Sequence, residues 1–583
     1  MRVTEAFQHA QQVHRSGQLA QAAALYRDIL RTRPDHLDAL CMLALLEYQS
    51  GRPGEALRLL DRALAVNPAH LTAVCNRGSV LLALRRYEEA LASMDRALAL
   101  RGDLAEAHFN RGVILTELGR RPEALASYDR ALALRPAYAE AWINRGNVLD
   151  ALARPQEALA SYERAAALRP DLAVAHFNLA NARHRAGRAD DALAGYARAL
   201  ALKPEYAEAW NNRANVLREG NRTEEALAHY ERALALRPDY VDALLNRGLA
   251  LSALNRHAEA AACYARVLAL EPEHAEAHYC ESLHRLLTGD FARGWQEYEW
   301  RWRVRDAEAA PRHAQALWLG REDLAGRTIL LHAEQGYGDT LQFCRYAALV
   351  AGLGARVLLQ VQPPLTSLLS RLTGPVRVVA QGEALPPFEF HCPLMSLPLA
   401  FRTTLETIPA AVPYLSADPA RVAAWRARLG PAAGPRIGLA WSGRPTHRND
   451  ANRSIPLATL APLLAAGADF VSLQKELREH DRQGLAALPA LRHYGALLQD
   501  YDDTAALIAC LDLVITVDTS VAHLAGALGR PVWILLPSNP DWRWLLERED
   551  CPWYPTARLF RQARMGDWGE VLRRVGAALR DRP

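Results

Sequence analysis

The sequence predicts an all-α repeat superhelix over residues 1–304 and an α/β region over residues 326–583, with a linker at 305–325. Three observations carry this reading. Pro34, Pro68, Pro136, Pro170, Pro204, Pro238 and Pro272 recur with one register, and Gly102 fills the only gap. From residue 326 onward, short apolar β-branched runs alternate with helical stretches, as in parallel βαβ units. Residues 511–537, LDLVITVDTSVAHLAGALGRPVWILLP, make one such unit without interruption.

The proline spacing is the period of about 34 residues that defines tetratricopeptide repeats. Eight units are expected, plus a degenerate ninth from Glu273. In the unit at 107–136, Gly112 lets two helices approach and Gly119 ends the first, while Ala124, Tyr128 and Ala131 form the small-large-small face of the second. Proline stops each unit because it has no N–H and clashes inside a helix. Stacked units bury one continuous core and leave a long concave face. The ninth unit carries Trp295, Tyr298, Trp300 and Trp302, which read as a capping and docking surface rather than a ligand site.

A second register runs through the repeats. Asn76, Asn110, Asn144, Asn178, Asn212 and Asn246 occupy one position in six successive units, with Asn147, Asn181 and Asn215 three residues on. Asparagine is a poor helix former, so the row needs a reason. One reading is amides bonding between adjacent repeats, or descent from a duplicated unit. The other is a ladder of donors and acceptors for an extended protein or peptide backbone. The row resembles the asparagine ladder in the repeats of protein O-GlcNAc transferases.

Composition narrows the function classes. Net charge is +4 with 23% charged residues, so no global field argues for nucleic acid. The eight cysteines are scattered without a CxxC pair, which argues for a reducing compartment and against a zinc site. The polar N-terminus is unlike a signal peptide and no apolar run reaches membrane-spanning length. A cytoplasmic protein without an integral membrane segment is expected.

In the first α/β half, 326–415, strands are expected at 328–332, 356–361 and 376–379, with a helix at 365–372. Gly336 and Gly338 permit a tight strand-to-helix turn, and Asp339 falls where the helix cap should be. No dinucleotide fingerprint or P-loop is present. The second half, 416–583, reads as a doubly wound parallel sheet: a strand at 436–441, a helix from 457, a strand at 470–473, a helix from 477, a short strand at 492–494, then strands at 513–517 and 532–536 and a terminal helix at 567–579.

Two loops of this second half suit a phosphate. After the strand at 513–517 come Asp518, Thr519 and Ser520, which cap a helix at 521–528 whose free N–H groups attract anions. After the strand at 436–441 come Ser442, Arg444, His447, Arg448 and Arg453, a cluster fit for a diphosphate or simply a solvated basic loop. Lys475 is a weaker rim cation. Asp500-Tyr501-Asp502 is a DxD triplet, better explained by helix capping than by a metal. Trp542 and Trp544 either cover a ligand or pack.

Asp518-Thr519-Ser520, with His523 and then Ala525 one place short of the final alanine, resembles the DTG-x-x-H-x-x-A signature of glycosyltransferase family nine, the heptosyltransferases. Ser520 stands where the family has glycine. The resemblance implies a GT-B fold of two facing Rossmann-like halves and a donor pocket floored by Asp518, Thr519, Ser520 and His523. It also implies a general base at the Gly338-Asp339 pair, and a phosphate-binding cation near Arg453. The expected activity is inverting transfer of a sugar from a nucleotide sugar to an acceptor hydroxyl. Neither metal nor cofactor is expected besides that donor, and the repeats would present a protein or peptide acceptor. The alternative is a non-catalytic repeat scaffold with a degenerate glycosyltransferase-like domain, favoured by Ser520 and the short first half.

Overall fold

The structure is a computed structural model that describes residues 3–304, 313–432, 434–447, 449–465 and 467–581; Arg448 and Pro311 lie outside the described residues. The chain forms two compact units, Met1–Tyr240 and Val241–Pro583.

The first unit is a tetratricopeptide superhelix of fourteen described helices, from Val3–Arg15 to Thr223–Leu236. The small-large pairing read from the sequence is what closes each helix pair. A Cβ on Gly112 would stand 2.6 Å from Tyr128 Cε1, and one on Gly146 2.5 Å from Tyr162 Cε1. Glycine there allows the tyrosine ring to lie on backbone, and Tyr128, Tyr162, Tyr196 and Tyr230 are all buried. Each such ring stabilises its pair by roughly 1.5–3 kcal/mol. A repeated polar clamp adds direction. Arg111 donates to Asp95 Oδ1 and Ser127 Oγ, both at 2.7 Å, and Arg145 makes the same two bonds to Asp129 and Ser161 at 2.7 Å.

The second unit begins with the helices Val241–Ala253, His257–Leu270, Ala275–Leu287 and Phe291–Tyr298, and continues into two parallel sheets. The first sheet contains β1 (Ala316–Leu317), β2 (Thr328–His332), β3 (Arg356–Val361), β4 (Val376–Ala380) and β5 (Phe390–Pro393), in the order β1-β5-β2-β3-β4. The second contains β6 (Arg436–Ala440), β7 (Asp469–Ser472), β8 (Leu491–His493), β9 (Leu513–Val517), β10 (Val532–Leu536) and β11 (Ala557–Arg561), in the order β11-β10-β9-β6-β7-β8. Counted from β6, this is the 3-2-1-4-5-6 order of a Rossmann sheet, whose chain direction reverses between β6 and β9. The first sheet reverses the same way between β2 and β5. Both places are switch points, where the carboxyl ends of neighbouring strands open a crevice.

Several elements differ from the sequence reading. β1, β5, β11 and the helix Pro419–Leu429 were not expected. The helix expected from 457 is a 3-10 helix, Leu457–Ala465, with Pro462 inside it. Proline has no N–H to give to an α-helical ladder. The later part of the linker is docked: Trp318 is buried, donates its backbone N–H to the His391 carbonyl at 2.8 Å, and sits next to β1 on the edge of the first sheet.

The degenerate repeat fills a docking role with two of its aromatics. Trp295 and Tyr298 are buried, and Trp295 Nε1 donates to the Thr403 carbonyl at 3.2 Å. Trp295 meets Phe343 and Trp542 edge-on at 6.4 and 5.2 Å. Trp300 instead stacks on His278 at 3.9 Å, and Trp302 lies under the Arg301 guanidinium at 4.5 Å. No helix among the described residues is long and apolar enough to cross a membrane.

Candidate functional site

The two switch points meet. The helix Tyr337–Phe343 follows β2, and the helix Ser520–Ala527 follows β9. They pack so closely that a Cβ on Gly338 would stand 2.9 Å from His523 Cδ2. The glycine read as a turn residue is therefore also a close-approach residue.

Asp339 closes a capping box but is not the N-cap residue itself. Gly336 is the N-cap, and Asp339, three residues in, accepts the Gly336 N–H at 2.9 Å. Its other oxygen is bound by Arg543. That arginine also donates to Asp541 Oδ1 at 2.8 Å and to Gln342 Oε1 at 2.8 Å, with its guanidinium 4.3 Å from the Trp542 ring centre. Burial pushes the Asp339 carboxyl above its ordinary range, the Arg543 charge pulls it back, and Asp541 pushes it up again.

On the other side, Thr519 stands at the N-cap of the helix that begins at Ser520 but makes no side-chain cap bond; its hydroxyl lies 3.2 Å from that of Thr516. Ser520 Oγ accepts from the Tyr501 hydroxyl at 2.8 Å, and Tyr501 in turn lies 5.2 Å from the Tyr337 ring. Arg453 reaches the carboxyl end of β9, donating to the Asp518 carbonyl at 3.0 Å, while its Nε is buried without a partner. Burial and the Asp541 charge push the Asp518 carboxyl up to about 6, against the pull of Arg453 and Arg543. A carboxyl raised on folding favours the folded state at low pH and loses that contribution as pH rises through its folded value. Wild type should therefore lose stability relative to Asp518→Asn between about pH 4 and pH 6. Urea midpoints of both proteins across that range check this, and a constant difference would refute it.

His523 is a packed residue. Its Nδ1 meets the Tyr554 hydroxyl at 2.9 Å and its ring stacks on Trp544 at 5.4 Å. Burial, with the charges of Arg543 and Arg345, holds it well below its ordinary range, so it stays neutral. Trp542 and Trp544 are packing residues too.

Ser442 and Arg444 fall at different depths. Ser442 is buried and its hydroxyl accepts from Gln474 at 3.1 Å. Arg444 is exposed and lines a cavity of about 310 Å³ together with Arg301, Trp302, Glu334, Gln335 and Gly336. Lys475 stands apart from this group, exposed and bonded to the Gln499 carbonyl at 2.9 Å. The DxD carboxylates are engaged elsewhere. Asp500 caps its helix through the Asp503 N–H at 2.9 Å and pairs with Arg421 at 2.8 Å, and Asp502 is held by Arg371 and by Ser367 at 2.5 Å.

Sequence reasoning missed the charged floor of the cavity. Arg301 donates to both Glu334 oxygens at 3.0 and 3.1 Å, to Ser396 Oγ at 2.8 Å and to Glu299 at 2.7 Å. Glu334 also accepts the Met395 N–H at 3.0 Å, across the switch point of the first sheet. Burial pushes Glu334 up to about 7 despite Arg301.

The asparagine row bonds between repeats. Asn178 donates to Asn147 at 3.4 Å, Asn212 to Asn181 at 3.0 Å, and Asn110 to Ser79 at 3.3 Å. Asn147, Asn181 and Asn215 each accept from a core tyrosine hydroxyl, Tyr162, Tyr196 and Tyr230, at 2.9, 2.6 and 2.6 Å. Asn76, Asn144 and Asn246 hold the same register, and all six are half-buried.

Comparison with known proteins agrees with this division. Tetratricopeptide models match overlapping segments from residue 8 to 173, then 214–255 and 241–274. The model of glycosyltransferase family 9 (heptosyltransferase) matches residues 500–542, which include Tyr501, Asp518 and His523. A curated relative, Protein FlbA of Caulobacter vibrioides, is 30% identical over 322 residues, covering 51% of this chain and 53% of its own. The chain thus spans about half the length of that relative. Among solved structures, YrrB, described as a TPR protein with an unusual peptide-binding site, is 26% identical. It covers 32% of this chain and 95% of its own, at a TM-score of 0.29. A tetratricopeptide protein from Parabacteroides merdae is 19% identical, covering 42% of this chain and 98% of its own, at a TM-score of 0.35. This chain is a tetratricopeptide-repeat array fused to a glycosyltransferase family 9-like α/β region.

Proposed function

We propose that the α/β region transfers a sugar, with inversion, from a nucleotide sugar to an acceptor hydroxyl. The observation that carries the reading is the meeting of the two switch points, with Asp339 on one lip, Asp518 on the other, and a cavity beside Gly336 that Arg444 also lines. A cavity of about 310 Å³ is at the lower end of small-molecule sites, which run from roughly 300 to 1,000 Å³.

In the proposed step the acceptor oxygen attacks the anomeric carbon as its proton passes to Asp339. The bond from that carbon to the phosphate oxygen breaks, and its electron pair leaves with the nucleoside diphosphate. The charge developing on the diphosphate is met by Arg444, Arg453 and the N–H groups opening the helix at Ser520, so the reaction runs without a metal. Asp518 faces ribose or sugar hydroxyls, because a carboxylate against diphosphate is repelled. The repeats bind a protein or peptide acceptor, with the row from Asn76 to Asn212 along the bound chain. Ladder amides already bonded to one another exchange those bonds when the acceptor binds.

A second reading, a nucleotide-binding scaffold without turnover, is favoured by one observation: both Asp339 oxygens are engaged, one by Gly336 and one by Arg543. The deciding experiment is a panel of nucleotide sugars incubated with the full chain, followed by calorimetry for binding and mass spectrometry for released nucleoside diphosphate. Turnover of one donor is expected. Binding without release selects the scaffold, and no binding at all removes both readings.

A further inference from the structure

We propose that His313, His332 and His391 form a binding site for one transition-metal dication of the zinc class at the carboxyl edge of the first sheet. The three residues are far apart in sequence and are gathered by strand pairing. β5 lies between β1 and β2, with His391 opposite Leu317 on one side and Leu330 on the other. Paired residues share a face of a sheet, and so do residues two apart on one strand, so His332 projects on the same face as His391. His313 enters from the segment leading into β1, its ring centre 4.8 Å from that of His391 and 5.3 Å from that of His332.

The distances fit a tetrahedral ion. Zinc–nitrogen bonds of about 2.0–2.1 Å at tetrahedral angles place ligand atoms about 3.3 Å apart. His332 Nε2 and His391 Nδ1 are already 3.3 Å apart, and one ligand atom from each of the three residues lies within 4.8 Å of the others. Closing the third edge needs a turn of the His313 ring, which is half-buried.

A second observation points the same way. His313 Nε2 is a buried ring nitrogen with no hydrogen-bond partner. Such a group costs about 1–3 kcal/mol unless something satisfies it. Three imidazoles without a carboxylate select zinc, cobalt, nickel or copper over magnesium and calcium, which take oxygen ligands. Three protein ligands leave the fourth position to water. The bound ion ties the end of the linker to β2 and β5, just ahead of the turn that carries Glu334 and Asp339.

The test uses the full chain, stripped with a chelator and titrated with Co²⁺ alone. One equivalent with the visible bands of tetrahedral cobalt is expected, displaced by Zn²⁺. His313→Ala and His391→Ala should each weaken uptake by more than about 100-fold, beyond the 10–100-fold typical of a lost outer-shell partner. His480→Ala, at an exposed histidine outside the cluster, should leave it unchanged. Zn²⁺ should raise the thermal midpoint of wild type but not of His313→Ala. Absence of stoichiometric binding, or equal binding in wild type and both cluster variants, overturns the proposal. None of these readouts depends on sugar transfer.

Discussion

Asp339→Asn is expected to bind the donor as wild type does and to turn it over about 100- to 10,000-fold more slowly, the range for loss of a general base. Asparagine keeps the shape and can still accept the Gly336 N–H, and Arg543 retains Asp541 and Gln342. The fold should therefore survive, and a wild-type thermal midpoint is part of the expected result. What is lost is the capacity to take a proton. In the proposed step the carboxyl that takes the proton is one that burial raises and the Arg543 charge pulls back. The loss should fall on kcat with KM little changed, because the proton moves only in the transition state. A variant within a few-fold of wild type in kcat would leave Asp339 as a structural partner of Arg543 and move the search for a base elsewhere.

Much of this was legible in the sequence because it is written locally. The repeat register, the glycines under Tyr128 and Tyr162, and the β-branched runs of β2, β3, β9 and β10 each depend on neighbours within one unit. The loops after β6 and β9 were legible for the same reason, since strand-turn-helix junctions carry their own capping and turn residues. The parts that were not legible are contacts at long range. Arg543 meets Asp339 from 204 residues away, Arg301 meets Glu334 from 33, and His332 meets His391 from 59. No periodicity announces a partner supplied by another element. Asp339 shows the limit most clearly. Its turn was visible, but its place as the third helical residue depends on Gly336 adopting the extended cap conformation, with φ −68° and ψ 171°. One signal was available and passed over: an arginine between two tryptophans at 542–544, a composition suited to a buried, stacked cation.

Replacing that cation should produce the largest change in stability. Arg543→Met is expected to cost about 3–5 kcal/mol, the range for breaking a buried ion pair from one side. Its side chain is only 9% exposed, so solvent screens the pair weakly. Removal leaves the Asp339 carboxylate, already raised by burial, beside Asp541 without the guanidinium that held both. The loss should accordingly be greatest near pH 8 and shrink toward pH 5, where the stranded Asp339 carboxyl takes up a proton. Lysine should recover part of it, restoring charge but not the fork that reaches Asp339, Asp541 and Gln342 together. The decisive comparison is a double-mutant cycle. In an Asp339→Asn background, Arg543→Met should cost about 1–3 kcal/mol less than in wild type, because one of the two charges is already gone. Urea denaturation of the four proteins at pH 8 measures it. Additive losses would mean that Arg543 supports the fold through its stack on Trp542 and Phe343 rather than through the carboxylate at the base of the proposed cleft.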